Sequence, residues 1–147
     1  MKKTTVKVTR RIIPPRAKGY SMLQAGGLAM EDRINQAATM IHLLNDQWWR
    51  HPKTGRRIKR NKAEMIALIH SELSEALEAV RKNAMDSHLT QWKGEEIEMA
   101  DAVIRIFDYC AGHGIPLGEA IMAKLHFNYN RADHQPKNRL KAGGKKF

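Results

Sequence analysis

The sequence predicts an all-α chain, and three observations predict it. Apolar residues recur at three- and four-residue intervals in several separate runs. Caps, Gly and Pro bound those runs, where hairpin turns would bound strands. No internal repeat and no strand–helix alternation interrupts them. The organisation that follows is a four-helix bundle over residues 31–131, an irregular basic arm at 1–30 and a basic tail at 132–147.

Taken in order, residues 1–30 show no helical period. Pro14-Pro15 breaks a helix and Gly26-Gly27 punctuates the run again, while Val6 and Val8 alternate with bases, so an extended arm or short strand is expected. A first helix is expected over 31–49, with Ile34, Ala37, Ala38, Ile41, Leu44 and Trp48 on one face. Pro52 and Gly55 break the loop at 51–60. Between positions 50 and 62 lie seven Lys/Arg and no acid, which reads either as a solvated hairpin or as a phosphate-contacting surface. Asn61 with Glu64 three residues on resembles a capping box and starts the second helix, which runs to about residue 82. A connector covers 83–91. The third helix, 93–111, has Glu95 and Glu96 in its first turn, where negative charge suits the dipole. Gly112 and Gly114 end it, and Pro116 begins the fourth helix, 117–131, with Ala120, Ile121, Leu125 and Phe127 inward.

Acidic residues intrude on two of these stripes. Met65, Ile66, Ile69, Leu73, Ala76, Leu77 and Val80 form the buried face of the second helix, and Glu72 and Glu75 flank it. On the third, Asp101 lies midway between Ile97 and Ile104, with Glu98 one turn before. Residues three apart on a helix have Cβ atoms about 5–6 Å apart, so each pair forms a two-carboxylate jaw. Four half-buried anions repel and are costly to desolvate, which calls for a cation. Oxygen donors without a His or Cys cluster select hard ions, Mg²⁺ with Mn²⁺ as substitute, and Mg²⁺ sites of this kind commonly engage phosphate. Glu78 with Lys82 reads as a plain surface pair, and Glu95, Glu96 and Asp108 need no role at the site.

The totals bound the rest. A length of 147 residues suits one domain with a modest core. The single cysteine, Cys110, sits in an apolar run and reads as a small buried hydrophobe; with no disulfide framework, a reducing, cytoplasmic setting is expected. No apolar run is long enough to span a membrane, and the basic N-terminus lacks the apolar segment of a signal peptide. The net charge of +11 is concentrated at the ends: residues 1–20 carry seven bases and no acid, and residues 131–147 carry six bases and one acid.

The run Leu68-Ile69-His70-Ser71-Glu72-Leu73-Ser74-Glu75-Ala76-Leu77-Glu78-Ala79, followed by Glu96-Ile97-Glu98-Met99-Ala100-Asp101-Ala102-Val103-Ile104-Arg105, resembles the MazG-like nucleoside triphosphate pyrophosphohydrolases. That group belongs to an all-α superfamily with dimeric dUTPases and phosphoribosyl-ATP pyrophosphohydrolases. Lys124, Asn128 and Arg131 match its KxxxNxxR pattern, while Ser71 stands where members often carry a further Glu. The resemblance implies that Glu72, Glu75, Glu98 and Asp101 hold Mg²⁺, that Glu75 also serves as catalytic base, and that Lys124, Asn128 and Arg131 contact the phosphates. It further implies hydrolysis of a (d)NTP between the α and β phosphates, and assembly as a homodimer or homotetramer. A dUTP- or phosphoribosyl-ATP-specific hydrolase fits the same pattern. The competing class is a basic nucleic-acid-binding helical protein, for which pI near 10 and basic tails are the footprint. An enzyme relative without activity, serving as a structural subunit, is the third reading. Base recognition is least visible; Asn45, Gln47, Trp48 and Trp49 supply the aromatics and amides that it needs, although tryptophans at such spacing are commonly core.

Overall fold

A computed structural model describes the backbone of residues 15–144, with side chains described from residue 26 onward except Leu28. The described residues are all-α, and their only β-type pairings are the isolated bridges Arg50–Arg57 and Met85–Lys93. Five α-helices follow in order: α1 Pro15–Leu44, α2 Lys62–Lys82, α3 Gly94–Gly112, α4 Leu117–Asn130 and the short α5 Pro136–Arg139. The described residues divide into two compact units, 29–121 and a second that combines 15–28 with 122–144. No helix among the described residues is long and apolar enough to cross a membrane.

Residues 15–30, expected as an irregular arm, form the first half of α1. Pro15 is the first residue of the helix, where its missing N–H has no partner to lose and its fixed φ suits the turn. Gly26 and Gly27 each cost about 1 kcal/mol relative to Ala, and the Ala, Leu, Met and Gln residues around them carry the helix through. Gly27 also lies where a Cβ would sit 3.5 Å from Met122 Cε. The strand considered around Val6 and Val8 lies outside the described residues. At its other end α1 stops at Leu44, and residues expected to continue it form a 3-10 turn, Asp46–Trp49.

In the larger unit, α2 begins as its cap predicts: Asn61 Oδ1 accepts from the N–H groups of Ala63 at 2.9 Å and Glu64 at 3.4 Å. It ends at Asn83 in the left-handed region, φ 48°, with Arg81 and Lys82 in the last turn to suit the dipole. A loop leads to α3, where Glu96 Oε2 accepts from the Lys93 N–H at 2.9 Å. Gly94, the first residue of α3, is needed because a Cβ there would lie 2.9 Å from Ala79 Cβ. Successive contacts pair Ala79 with Gly94 and then Glu72 with Arg105, so α2 and α3 run antiparallel. The N-terminus of α4 is tied to α1 through Asn35, whose Oδ1 accepts from Gly118 N–H at 2.9 Å while its Nδ2 donates to Glu119 Oε2 at 2.8 Å.

The core of this unit is small: Ala38, Trp49, Met65, Ala76, Ala102 and Cys110 are buried. Much of the stripe expected to be buried is open to solvent. Leu73, Leu77, Val80 and Met99 line a groove between α2 and α3, and Leu77 is 62 % exposed. In the second unit, Gln135 Nε2 donates to the Tyr129 carbonyl at 3.1 Å and Asn138 Nδ2 to the Ala132 carbonyl at 2.6 Å. Those bonds fold a 3-10 turn, Ala132–His134, and α5 back from the end of α4, where a plain tail is expected.

Candidate metal centre

Antiparallel packing of α2 on α3 brings acids from both helices to one place. Carboxylate oxygens of Glu72, Glu98 and Asp101 all lie within 4.8 Å of one another. Glu72 is buried, at 6 % exposure, as deeply as the Met65 and Ala76 that share its helix; Glu98 and Asp101 are half-buried. Glu75 does not join this group and is exposed. A helix turns about 100° per residue, so positions three apart diverge by about 60°. Only one member of the first jaw therefore points squarely across. Glu75 remains near enough for its charge to act on Glu98.

The electrostatics follow from that convergence. Burial pushes the Glu98 carboxyl above its ordinary range, and the neighbouring Glu75, Glu72 and Asp101 push it further. One positive charge already enters: Arg105 Nε donates to Glu72 Oε1 at 2.6 Å. Ser71 takes no part, since its hydroxyl donates to the Leu68 carbonyl at 2.8 Å.

Beside the acids lies a cavity of about 450 Å³, with Asp101 and Arg105 on one wall and Asn45, Trp48 and Arg60 on another. Met65, Leu68 and Ile104 supply its apolar lining. Trp48 and Trp49 have separate fates. Trp49 is buried, its Nε1–H shared between Asp108 Oδ1 at 3.0 Å and Oδ2 at 3.1 Å. Trp48 is 62 % exposed.

Asp108, assigned no role from sequence, is 7 % exposed and anchors this wall. His42 Nδ1 lies 2.7 Å from its Oδ1. A carboxylate only accepts, so Nδ1 carries the proton and Nε2 is left to accept from Arg57 Nη2 at 3.5 Å. Around Trp49, His42 and His113 stand edge-on at 5.0 and 5.3 Å between centroids. His113 Nε2 is buried with no hydrogen-bond partner, and burial, then the Lys62 charge, pull this imidazole below its ordinary pKa. Cys110 is buried and its thiol is pushed up, which suits a packed hydrophobe and opposes a thiolate nucleophile.

No family model, curated protein or solved structure matches the chain.

The remaining expected site residues fall in the second unit. Lys124 and Asn128 lie on α4, and Arg131 directly follows it. Lys124 Nζ and Arg131 Cζ approach the same Phe127 ring, at 4.9 and 5.6 Å, so the two cations share a face as their spacing requires. Arg131 is engaged by a fork: its Nε donates to Asp133 Oδ1 at 2.9 Å and its Nη2 to Oδ2 at 2.6 Å. The Asn128 carbonyl is met by His134 Nδ1 at 3.2 Å. In the basic loop, Arg50 and Arg57 both pair with Asp46, and Arg60 Nη1 donates to the Trp48 carbonyl at 3.1 Å. Part of that positive run therefore builds the loop itself.

Proposed function

We propose that this chain is a Mg²⁺-dependent nucleoside triphosphate pyrophosphohydrolase, splitting a (d)NTP between its α and β phosphates into (d)NMP and pyrophosphate. The observation that carries the reading is the meeting of Glu72, Glu98 and Asp101 oxygens within 4.8 Å across two helices. The resemblance of the two acidic runs to MazG-like enzymes supports it. The donor set fits a hard divalent ion, since the cluster is all carboxylate with no thiol or imidazole. Bound there, Mg²⁺ or Mn²⁺ would polarise phosphoryl oxygen and acidify a coordinated water.

The chain's own residues have separable tasks in this reading. Glu72, Glu98 and Asp101 supply the ion's ligands, Glu72 from the buried side of the cluster. Glu75, exposed beside the trio, accepts the proton of the attacking water. The resemblance to MazG-like enzymes is what assigns phosphate contacts to Lys124, Asn128 and Arg131, and Arg131 would first have to give up its pairing with Asp133. The exposed apolar groove between α2 and α3 supports self-association as part of the same reading. Light scattering should then give a mass at least twice 16.8 kDa.

The test is a panel of natural and modified NTPs and dNTPs with Mg²⁺, with monophosphate and pyrophosphate both quantified. Equimolar release of the two, lost in Glu72→Gln and Asp101→Asn with helicity unchanged, is the expected result. Orthophosphate as product, or turnover that ignores both substitutions, would overturn the assignment. Salt-dependent nucleic-acid binding that survives those substitutions would favour the competing class.

A further inference from the structure

The cavity beside the acids has a shape and lining that the hydrolytic step does not use. Its volume of about 450 Å³ lies within the range of small-molecule sites. Asp101 and Arg105 mark the end nearest the acid cluster, and Trp48 lines it with Asn45 and Arg60. The fold has no structural need for Trp48 to be large and aromatic, because 62 % of it is exposed while its neighbour Trp49 fills the core. Asn45 is also unspent at its own position: it precedes the 3-10 turn as N-cap, yet its side chain makes no capping bond. Arg60 uses one N–H on the Trp48 carbonyl, with its guanidinium carbon 6.0 Å from the centroid of the Trp49 ring, and keeps further donors. A flat apolar face, an amide offering both donor and acceptor, and a guanidinium are together what a heteroaromatic base requires. The face stacks, and the polar groups read the edge.

We propose that this cavity is the nucleobase subsite, with Trp48 as the stacking wall and Asn45 and Arg60 as the edge-reading groups that set base preference. The assignment rests on the hydrolase reading, which puts the phosphates of the same molecule at the acids. The ligand class is a nucleoside triphosphate whose base enters from the acid end and lies on the Trp48 indole. Specificity then belongs to the segment between α1 and α2, and the charge that holds the phosphates belongs elsewhere.

Calorimetric titration of the full chain in Mg²⁺ tests this, with the four α,β-methylene deoxynucleoside triphosphates and inorganic tripolyphosphate as probes. Trp48→Ala should weaken the nucleotides about ten-fold or more and leave tripolyphosphate unaffected. Trp48→Phe, which keeps a ring, should restore most of the loss. Asn45→Ala should alter the ratios among the four bases. Circular dichroism guards against misfolding, which the exposure of Trp48 already disfavours. The subsite is overturned if Trp48→Ala leaves nucleotide affinity unchanged, or weakens tripolyphosphate equally. Unchanged base ratios in Asn45→Ala would remove edge reading. Failure of the unaltered chain to bind any nucleotide or tripolyphosphate has a different signature, and overturns the hydrolase reading together with this one.

Discussion

Replacing Asp108 with Ala removes the acceptor that Trp49 and His42 share. Trp49 Nε1–H reaches the two Asp108 oxygens at 3.0 and 3.1 Å, and His42 Nδ1 reaches Oδ1 at 2.7 Å. Trp49 is 4 % exposed, so water cannot take over from the carboxylate. Leaving a buried donor unpaired costs about 1–3 kcal/mol. Its full weight falls on Trp49 and part of it on His42, while relief of a desolvated carboxylate returns some. The expected net loss is about 2–3 kcal/mol, a large share of the ~5–15 kcal/mol that typically holds a domain together. Urea unfolding followed by circular dichroism, in chelator so that no ion contributes, measures it as a fall in midpoint at constant slope. Asp108→Asn keeps an oxygen for the indole and should lose about half as much. On a Trp49→Phe background, where the donor is already gone, Asp108→Ala should cost at least about 1 kcal/mol less than in the parent. A loss under about 0.5 kcal/mol, or additive behaviour in that cycle, would refute the view that this triad fixes the wall of the cavity.

Gly112→Ala should destabilise by about 1–3 kcal/mol, read in the same unfolding assay, because the new Cβ would overlap the Trp49 ring and Asp108 prevents the ring from moving away. His113→Phe should stabilise at acid pH. The folded-state imidazole is held below its ordinary pKa, so native stability is present above the unfolded value and lost as pH falls through the usual histidine range. Unfolding midpoints compared at pH 7.5 and 5.5, roughly on either side of that range, should lose their difference in the variant. Glu98→Gln should be more stable than the parent at neutral pH in chelator. There the raised carboxyl pKa means that the unfolded chain ionises first, and folded stability falls as pH climbs from the ordinary glutamate range to the folded value. The same variant should bind Mn²⁺ at least about ten-fold more weakly by paramagnetic resonance.

How much was legible in the sequence differs from element to element. The start of α2 at Asn61 and the end of α3 near Gly112 were readable because capping is a local matter between near neighbours. The convergence of Glu72, Glu98 and Asp101 was readable because helical spacing fixes direction and a short connector fixes antiparallel order. Glu75 was not separable from its partner, since the 60° between them becomes meaningful only once the crossing of the helices is known. Asp108 gave no sign at all: its partners Trp49 and His42 are 59 and 66 positions away. A lone Asp in a helix reads as surface until the fold brings an indole to it. The first half of α1 was hidden by Pro15 and by its glycines, whose cost depends on their place in the helix. Leu73, Leu77 and Val80 keep a clean helical period yet stand open, because periodicity shows that a face is apolar and not what covers it.

The guanidinium that Arg105 extends to Glu72 separates two events that many metalloproteins merge. With that arm in place, the newly folded chain carries its own counter-charge among the acids and need not wait for an ion before its helices close. Under the proposed metal-dependent reading, chelation should silence the protein without unravelling it, and returning the ion should restart it without a renaturation step.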